Sequence, residues 1–267
     1  PAEAVDLLIF LGELPIYRRL VRLGKRRCGE IFCERFRLRV PYSLRVGTHG
    51  LYICRFVKRH NGRWWDYDRA RLQLVEICRI SVERAELPQL SEAERLGLLS
   101  QLPKGKNLLK NGSFEQPLSV GWKVPVNFPP GLRIFRDVYC LHGKRSACIE
   151  LLCIDNNRRW IALRQPIQVA PGRYRLSFIA NSICLPARYA PRLVIQDAIK
   201  GWRSLNISIP LLPNTSWRIY HIDFDVPQSV QRIVLLVSHW SRIDAFSGES
   251  KICCPFWLDA VSLIRVR

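Results

Sequence analysis

The sequence of 267 residues contains no methionine, no Cys-x-x-Cys pair and no long apolar run. Without Cys-x-x-Cys, neither a zinc ribbon nor a thioredoxin-like redox motif is predicted. A membrane-spanning helix needs about 18 consecutive apolar residues. The longest candidate, Val5 to Leu14, is interrupted by Asp6, Gly12 and Glu13. No basic segment precedes this stretch and no small-residue cleavage site follows it, so we predict no signal peptide in the chain as given.

Sequence motifs of the common catalytic classes are also missing. There is no GxSxG, HExxH, Walker loop or GxGxxG. Glycoside hydrolysis requires two carboxylates on opposite sides of the scissile bond, and no pair of acidic residues stands out. The five histidines are scattered without partner spacing. These absences predict a protein that is not an enzyme.

Acidic residues are scarce compared with basic ones. The chain has 42 Lys and Arg against 22 Asp and Glu, a net charge of +20, and 33 of the basic residues are arginine. Both halves of the chain carry a basic excess, which argues against a detachable basic arm. A positive surface attracts phosphates, acidic glycans and anionic lipids alike. The charge therefore indicates an anionic partner, a nucleic acid or an acidic polymer among the alternatives, or only a solvated basic surface.

The ten cysteines are irregularly spaced. Cys253 and Cys254 are vicinal, and one of them has several alternative disulfide partners that sequence cannot separate, namely Cys140, Cys148, Cys153 and Cys184. The side chains with the nearest approach to metal-ligand spacing are Cys28, Cys33, His49, Cys54 and His60. Their spacing is too loose for a tetrahedral site, so we do not predict zinc.

Residues 1–104 combine helical and strand patterns. Apolar residues from Ala4 to Arg27 recur at three- and four-residue spacings, which predicts a helix that Pro15 divides. Such a basic amphipathic helix either docks on its own domain or contacts a membrane surface or a protein partner through residues 4–27.

A β pattern follows from Ile31 to Val82. The Asn61-Gly62 pair predicts a hairpin flanked by basic and aromatic residues, an arrangement typical of a packed hairpin or of nucleic-acid contact. Ser91 and Glu94 form a capping box that begins a helix ending near Leu102. We place a domain boundary after this helix, which makes residues 1–104 a small α+β domain.

Residues 106–267 read as short strands separated by Gly, Pro and Asn turns, which predicts a β-sandwich. Several motifs occur in order, namely Asn107 to Glu115, Gly121-Trp122, Leu163 to Ile167, Pro171 to Phe178, Trp217, Phe224 to Pro227 and Phe256 to Leu263. This segment resembles the carbohydrate-binding modules of the family 4/9/22 type. The resemblance implies a galactose-binding-like jelly roll, and the whole chain is then mainly β.

The same resemblance implies a calcium site and a sugar site. Structural calcium in such modules lies near the first and last strands, and its carboxylate ligands here would be Glu115 and Asp259. The last-strand motif departs from the family because Ala260 follows Asp259, where a second acidic residue is common. The alternative is a carboxylate that accepts hydrogen bonds from turn amides.

Sugars bind such modules on aromatic rings assisted by polar side chains. Trp122, Trp217 and Trp257 lie within the motifs that build the sandwich, so we predict them in the core. The candidate ligand-binding residues are Trp160, Trp202, Trp240, Tyr189, Arg158 and Arg203. Arginines beside these rings can hold a carboxylated or sulfated sugar bidentately.

The sequence therefore predicts a non-catalytic binding protein that recognises a carbohydrate, acidic ligands included. Two alternatives stay open. One is a nucleic-acid-associated basic protein that uses the sandwich as a scaffold, and the other is a structural subunit of a larger assembly. The family resemblance suggests an extracellular or cell-envelope location.

Overall fold

A computed structural model describes residues 4–11, 14–22, 42–45, 47–56, 75–82, 87–124, 132–155, 160–182, 191–211, 214–239 and 251–266. Strands dominate this part of the chain, which confirms the prediction of a mainly β protein. The helix found there is far shorter than a membrane span requires. The predicted hairpin at Asn61-Gly62 lies outside the described residues.

The N-terminal strands form one antiparallel sheet. They are β1 (Ala4–Leu11), β2 (Leu14–Arg22), β3 (Gly47–Phe56) and β4 (Val75–Val82). Their order in the sheet is β2-β1-β3-β4. β3 and β4 confirm strands that the alternating pattern predicts in this region.

The helix predicted over residues 4–27 is wrong. β1 pairs with β2 as a hairpin and with β3 on its other side. Short apolar runs do not distinguish helix from strand by periodicity alone, and the β-branched and aromatic residues Val5, Ile9 and Tyr17 favour a strand once partners exist. The amphipathic helix on which membrane contact depended is therefore not formed. Protein contact stays a prediction, now through β2 as an edge strand.

Helix α1 (Glu92–Ser100) confirms the predicted capping box. The Glu94 amide donates to Ser91 Oγ at 3.3 Å, and the Ser91 amide donates to Glu94 Oε2 at 2.9 Å. Two N–H groups that would otherwise lack partners at the helix start are satisfied in this way. No residue of α1 is fully buried, so the helix lies at the protein surface.

The remaining strands build two antiparallel sheets. The strands are β5 (Leu132–Asp137), β6 (Ser146–Asp155), β7 (Trp160–Gln168), β8 (Gly172–Ser182), β9 (Arg192–Asp197), β10 (Gly201–Pro210), β11 (Asn214–Val226), β12 (Arg232–His239) and β13 (Lys251–Arg265). One sheet has the order β10-β9-β12-β7 and the other β11-β8-β13-β6-β5. The predicted β-sandwich is confirmed.

The main core lies between these two sheets. Alternate residues of facing strands enter it, for example Leu193 and Ile195 from β9 and Phe256 and Leu258 from β13. Trp122 joins the same core and stacks on Phe114 at 5.4 Å between ring centroids. Burial of this apolar surface is the main term that stabilises the sandwich. Cys140 and Cys148 are free thiols, so neither is the disulfide partner of Cys253 or Cys254.

Candidate functional site

Asp259, one of the two predicted calcium ligands, is fully buried near the end of β13. Its Oδ2 accepts hydrogen bonds from the amides of Leu141 and His142 at 2.9 and 2.7 Å. Its Oδ1 accepts from the amide of Ala260 at 2.6 Å, and Ala260 has a positive φ of 48°. Burial disfavours the charged form and raises the pKa of Asp259 to about 7.

Glu115, the other predicted ligand, holds the next turn of the same loop. Its Oε1 accepts from the amides of Lys144 and Arg145 at 2.7 and 3.0 Å. Gly143 has a φ of 73°, and a Cβ there would collide with the Glu115 carboxylate. Together, Asp259 and Glu115 clamp the loop of residues 141–145, and we call this arrangement the carboxylate clamp.

The residues of the carboxylate clamp do not fit a calcium site as they stand. Calcium needs six to eight oxygen ligands, whereas three of the four carboxylate oxygens already accept amide hydrogens. No group of three or more His, Cys, Asp or Glu that could hold a metal occurs among the described residues. Both carboxylates instead accept hydrogen bonds from turn amides, which is the predicted alternative to a calcium site.

We therefore expect chelation to leave the folded protein unchanged. Thermal unfolding measured with excess EDTA and with added Ca²⁺ should give the same midpoint, because three of the four carboxylate oxygens already accept hydrogen bonds from the clamp amides. A ligand that binds only the native state raises the unfolding free energy with the logarithm of its concentration once that concentration exceeds Kd. An increase in the midpoint with Ca²⁺, absent in Glu115→Gln, would overturn this assignment.

A cavity of about 460 Å³ lies beside the carboxylate clamp. The segment after α1 forms one wall and the end of β13 another. Its polar lining residues are Asn107, Asn111, Ser113, Glu115, Gln116, His142 and Ser262. The Asn107 amide donates to the Val261 carbonyl at 2.9 Å and its oxygen accepts from Leu109 and Leu263, so this side chain fastens the first segment of the sandwich to β13.

The five-stranded sheet has a second buried face, which we call the covered face. It carries Trp217, Trp257, Tyr139, Ile179 and Cys148, all buried. The ring of Tyr139 lies 5.2 Å from Trp217 and 4.9 Å from Trp257 between centroids. The predictions that Trp122, Trp217 and Trp257 belong to buried cores are therefore confirmed.

Residues 42–45 and 87–102, which we call the strap, close the covered face. The strap contributes Tyr42, Leu87, Leu90, Leu98, Leu99 and Leu102 to the packing. Tyr42 meets Trp257 edge-on at 5.1 Å between ring centroids. These contacts cross the domain boundary predicted near residue 104, and the division into two domains stays a prediction.

Polar contacts also hold the strap. The Ser43 amide donates to both oxygens of the Glu150 carboxylate at 3.1 and 3.3 Å. The Tyr139 hydroxyl donates to the Pro88 carbonyl at 2.8 Å, and Arg95 Nε donates to the Leu141 carbonyl at 2.9 Å. Burial raises the pKa of Glu150. The strap thus occupies several polar groups of this face as well as its rings. Residues of the edge strand β11, such as Arg218 and Asp225, stay exposed.

The predicted sugar-binding residues meet different outcomes. Trp160 is 3% exposed and packs in the core between the sheets, so its ring offers no face to a sugar and the prediction for it is wrong. Trp202 and Arg203 lie in β10, the edge strand of the four-stranded sheet. Tyr189, Trp240 and Arg158 lie outside the described residues.

The outer face of the four-stranded sheet carries polar and basic residues that sequence reasoning missed. Residues paired across neighbouring strands form a row on this face. In order across the sheet, the row consists of Lys123, Arg164, Leu236, Val194 and Ser208. Arg192 Nη1 donates to Ser208 Oγ at 3.0 Å. We call this surface the basic face. Its basic side chains came from four separate segments, so no local sequence signal marked them.

Two further side-chain pairs lie on the basic face. Gln168 lies opposite Arg232. When the oxygen of the Gln168 side-chain amide faces Arg232, it accepts hydrogen bonds from Arg232 Nε and Nη2 at 3.1 and 2.8 Å. Gln196 lies opposite Asn206, with 3.5 Å between Nε2 and Oδ1. Gln196 is buried, whereas Gln168, Arg232 and Asn206 are exposed. Exposed planar amide and guanidinium groups on rigid strands suit the recognition of hydroxyl and carboxylate groups.

One Ser-His-Asp grouping occurs on β8 and β11 without the geometry of a catalytic triad. His221 Nδ1 lies 2.9 Å from Ser177 Oγ, and Ser177 is fully buried. Asp223 is held by Arg175 through two bonds of 2.6 and 2.8 Å rather than by the imidazole. This ion pair lowers the pKa of Asp223. A nucleophile needs an accessible hydroxyl and a base oriented by the carboxylate, which this grouping does not supply.

Comparison with known proteins gives no matching family model and no matching curated protein. Solved structures of carbohydrate-binding modules are similar over about three-fifths of the chain. TmCBM61 in complex with β-1,4-galactotriose is 17% identical, with a TM-score of 0.44, over 61% of this chain and 100% of that one. A family 16 carbohydrate-binding module is 16% identical, with a TM-score of 0.41, over 60% and 100%. The CBM22-1 xylan-binding domain of Paenibacillus barcinonensis Xyn10C is 14% identical, with a TM-score of 0.40, over 61% and 96%.

Proposed function

We propose that this protein binds a carbohydrate without transforming it, and that the carbohydrate carries acidic groups. The sandwich is the binding unit. Its ligand contacts the basic face, with Trp202 and Arg203 at the β10 edge, and Trp240, Tyr189 and Arg158 remain further candidates. We expect such a protein to act outside the cell or in the cell envelope, where polysaccharides are abundant.

The contrast between the two outer faces of the sandwich carries this proposal. The strap closes the covered face around Trp217 and Trp257, so a ligand there would have to displace Tyr42 and α1. The basic face instead presents exposed Asn206, Ser208, Gln168 and Arg192 side chains around the buried outward residues Val194 and Leu236. Polar groups held on strands are oriented before the ligand arrives, which lowers the entropic cost of binding.

Acidic groups on the ligand follow from the charges of the sandwich. The carboxylates on the outer side of the five-stranded sheet are Asp137, Glu150, Asp223, Asp225 and Asp259. No Asp or Glu occupies the described outward positions of the four-stranded sheet. The exposed cations at these outward positions therefore have no carboxylate opposite them in the sheet, which favours an anionic ligand.

Glycan binding measured by calorimetry and on an array tests the proposal. We expect acidic oligosaccharides to bind and to be recovered intact. Trp202→Ala should weaken binding roughly tenfold, because an aromatic contact contributes on the order of 1 kcal/mol or more. Val138→Ala, which removes an exposed apolar side chain near the other sheet, is the matched control and should leave binding unchanged.

Each other outcome decides against part of the proposal. If no glycan binds to the folded chain, carbohydrate recognition is wrong. If products of cleavage accumulate in proportion to protein concentration, the non-catalytic assignment is wrong. If neutral glycans bind as tightly as acidic ones at low and high salt, the acidic character of the ligand is wrong.

A further inference from the structure

We infer that Cys153 and Cys253 form a disulfide that joins β6 to β13 at one end of the five-stranded sheet. This inference goes beyond the proposed function, because it assigns an oxidised pair of residues and does not depend on any ligand. It follows from strand register, since each cysteine belongs to one of two strands that pair directly.

The register between β6 and β13 places the two cysteines at one irregularity of the ladder. Ile252 pairs with Ile154, and the next residue of β13, Cys253, pairs with Leu152. Cys153 is therefore the extra residue of a bulge on β6, where two residues of one strand oppose a single residue of the other. This places Cys153 next to the partner of Cys253 on the neighbouring strand.

The backbone separation at this position suits a disulfide. Directly opposite residues of antiparallel strands have Cα atoms about 4.5–5.5 Å apart. One residue along the strand adds about 3.4 Å at a right angle, so the Cα atoms of Cys153 and Cys253 are separated by roughly 6 Å. Disulfides bridge Cα separations of about 4.4–6.8 Å, and this pair lies within that range.

Distance also separates Cys253 from its neighbour Cys254. Cys254 pairs with Leu151, two residues before Cys153 along β6. The Cα atoms of Cys153 and Cys254 are therefore roughly 8 Å apart, which a disulfide cannot bridge without backbone movement. Cys184 lies outside the described residues, so register favours Cys153 among the partners that the structure describes.

The two nearby thiols, Cys140 and Cys148, are suited to stay reduced. Cys148 is fully buried opposite Trp257, and Cys140 is half-buried in the loop before β6. Burial raises the pKa of both thiols, that of Cys140 to about 11. The thiolate is the form that attacks a disulfide, so thiols with such a high pKa react slowly in exchange. Both are free in the structure and serve as internal controls.

The inferred disulfide lies where two connections leave the five-stranded sheet. β6 ends at Asp155 and β13 begins at Lys251, and these two residues pair. The same two connections meet the four-stranded sheet at Trp160 and His239, which also pair. The β6–β7 and β12–β13 connections therefore begin side by side and end side by side, and the disulfide ties them together at one end.

The ladder between β6 and β13 is weak at this point without a covalent bond. A bulge disrupts the ladder hydrogen bonds locally, and the pairing stops two residue pairs beyond it, at Asp155 and Lys251. A disulfide between residues 153 and 253 closes a loop of about 100 residues, and long closed loops restrict the unfolded chain most. We therefore expect oxidation to stabilise the fold and to protect this end of the sandwich.

The oxidation step is thiol–disulfide exchange with a dithiol oxidoreductase in its disulfide form. The thiolate of one cysteine attacks that disulfide to give a mixed disulfide, and the second cysteine then displaces the oxidoreductase. Cys153 and Cys253 each lose a proton, one S–S bond forms between them, and the two electrons and two protons leave on the reduced oxidoreductase. Such oxidation takes place outside the reducing cytosol, which agrees with the location that we propose.

Peptide mapping of the full chain, produced in an oxidising compartment, tests the inference. The protein is denatured without reductant in the presence of iodoacetamide and is then cleaved after Arg, Lys and Glu. Cleavage after Glu150 separates Cys148 from Cys153. We expect a disulfide-linked pair of peptides that contain Cys153 and Cys253, and iodoacetamide label on Cys148. The linked pair should survive Cys254→Ser and disappear in Cys253→Ser.

Thermal unfolding provides a second measurement. The double variant Cys153→Ser/Cys253→Ser should unfold several degrees below the natural chain when both are oxidised, because the cross-link is lost. The two proteins should converge after reduction, which separates the disulfide from any effect of serine itself. Cys140→Ser is the control, and its loss of stability on reduction should match that of the natural chain. Trypsin should also cleave after Arg158 faster in the reduced chain than in the oxidised one.

Two results would overturn this inference. One is iodoacetamide label on Cys153 or Cys253 in the chain that was denatured without reductant. The other is a linked pair that joins either residue to a different cysteine, Cys254 included. If the serine variants fail to fold, fragmentation of the linked peptides from the natural chain still identifies the bridged residues. The linked pair is expected whether or not the protein binds a carbohydrate, so its absence leaves the proposed function intact.

Discussion

The unfolding free energy of this protein should increase as the pH is lowered from about 8 to about 5, and Asp259→Asn should remove most of that increase. Asp259 ionises with a pKa of about 7 in the folded chain, against 3.8 for a free side chain. The folded state therefore binds this proton more tightly than the unfolded state. The stabilisation is complete below about pH 4 and is lost as the pH rises through 7. Its full size is of the order of 4 kcal/mol at most.

Urea unfolding at several pH values measures this effect. Burial raises the pKa of Glu150 as well, so Glu150 contributes in the same direction. Burial lowers the pKa of His221, so this exposed side chain acts in the opposite direction. Asp223 is the matched control because Arg175 lowers its pKa, and Asp223→Asn should leave the change between pH 8 and 5 in place. If Asp259→Asn retains the full pH dependence, the carboxylate clamp is not its source.

Trp257→Ala should lower the unfolding free energy by roughly 3–5 kcal/mol, the usual range for truncating a buried tryptophan. Trp257 is fully buried, donates from Nε1 to Asp137 Oδ2 at 2.8 Å and receives the edge of Tyr42. Its loss removes ring contacts and leaves Oδ2 of the buried Asp137 carboxylate without its donor, while Oδ1 keeps the amide of Val138. The strap should therefore loosen before the sandwich unfolds.

Amide hydrogen exchange distinguishes a local effect from a global one. In Trp257→Ala, amides of α1 should exchange faster than global unfolding explains. Phe178→Ala makes a cavity on the opposite side of the same sheet, in the main core, and is the control. It should destabilise the protein by a similar amount while strap amides follow global unfolding alone. Equal behaviour of the two variants would show that the strap and the sandwich unfold as one unit.

Features determined by near neighbours in the chain were predictable. Ser91 and Glu94 are three residues apart, so their capping box could be recognised locally and begins α1 as expected. The turn-rich pattern after residue 106 predicted the sandwich, and the tryptophans within its motifs are buried. Ala4 to Arg22 shows the limit of this approach, because pairing with β3 overrides a spacing that also suits a helix.

Features that depend on distant residues were not predictable. The Ser43 amide that meets Glu150 comes from a residue 107 positions away, and Asp259 accepts from Leu141 across 118 positions. Sequence resemblance selected Glu115 and Asp259 as a pair, but only their amide partners show that they clamp a loop. Trp160 looked like a loop residue beside arginines, although β7 turns its ring into the core.

The sequence by itself determined the class of fold, the positive charge and the absence of common catalytic motifs, because each depends on composition or local spacing. The tertiary structure decided which surfaces are covered and which charges lie side by side. The strap closes the covered face, and pairing of β7, β12, β9 and β10 collects cations from separate segments on the opposite side. The physical reason is that a strand's side chains alternate between faces, so strand register across the sheet decides which charges meet.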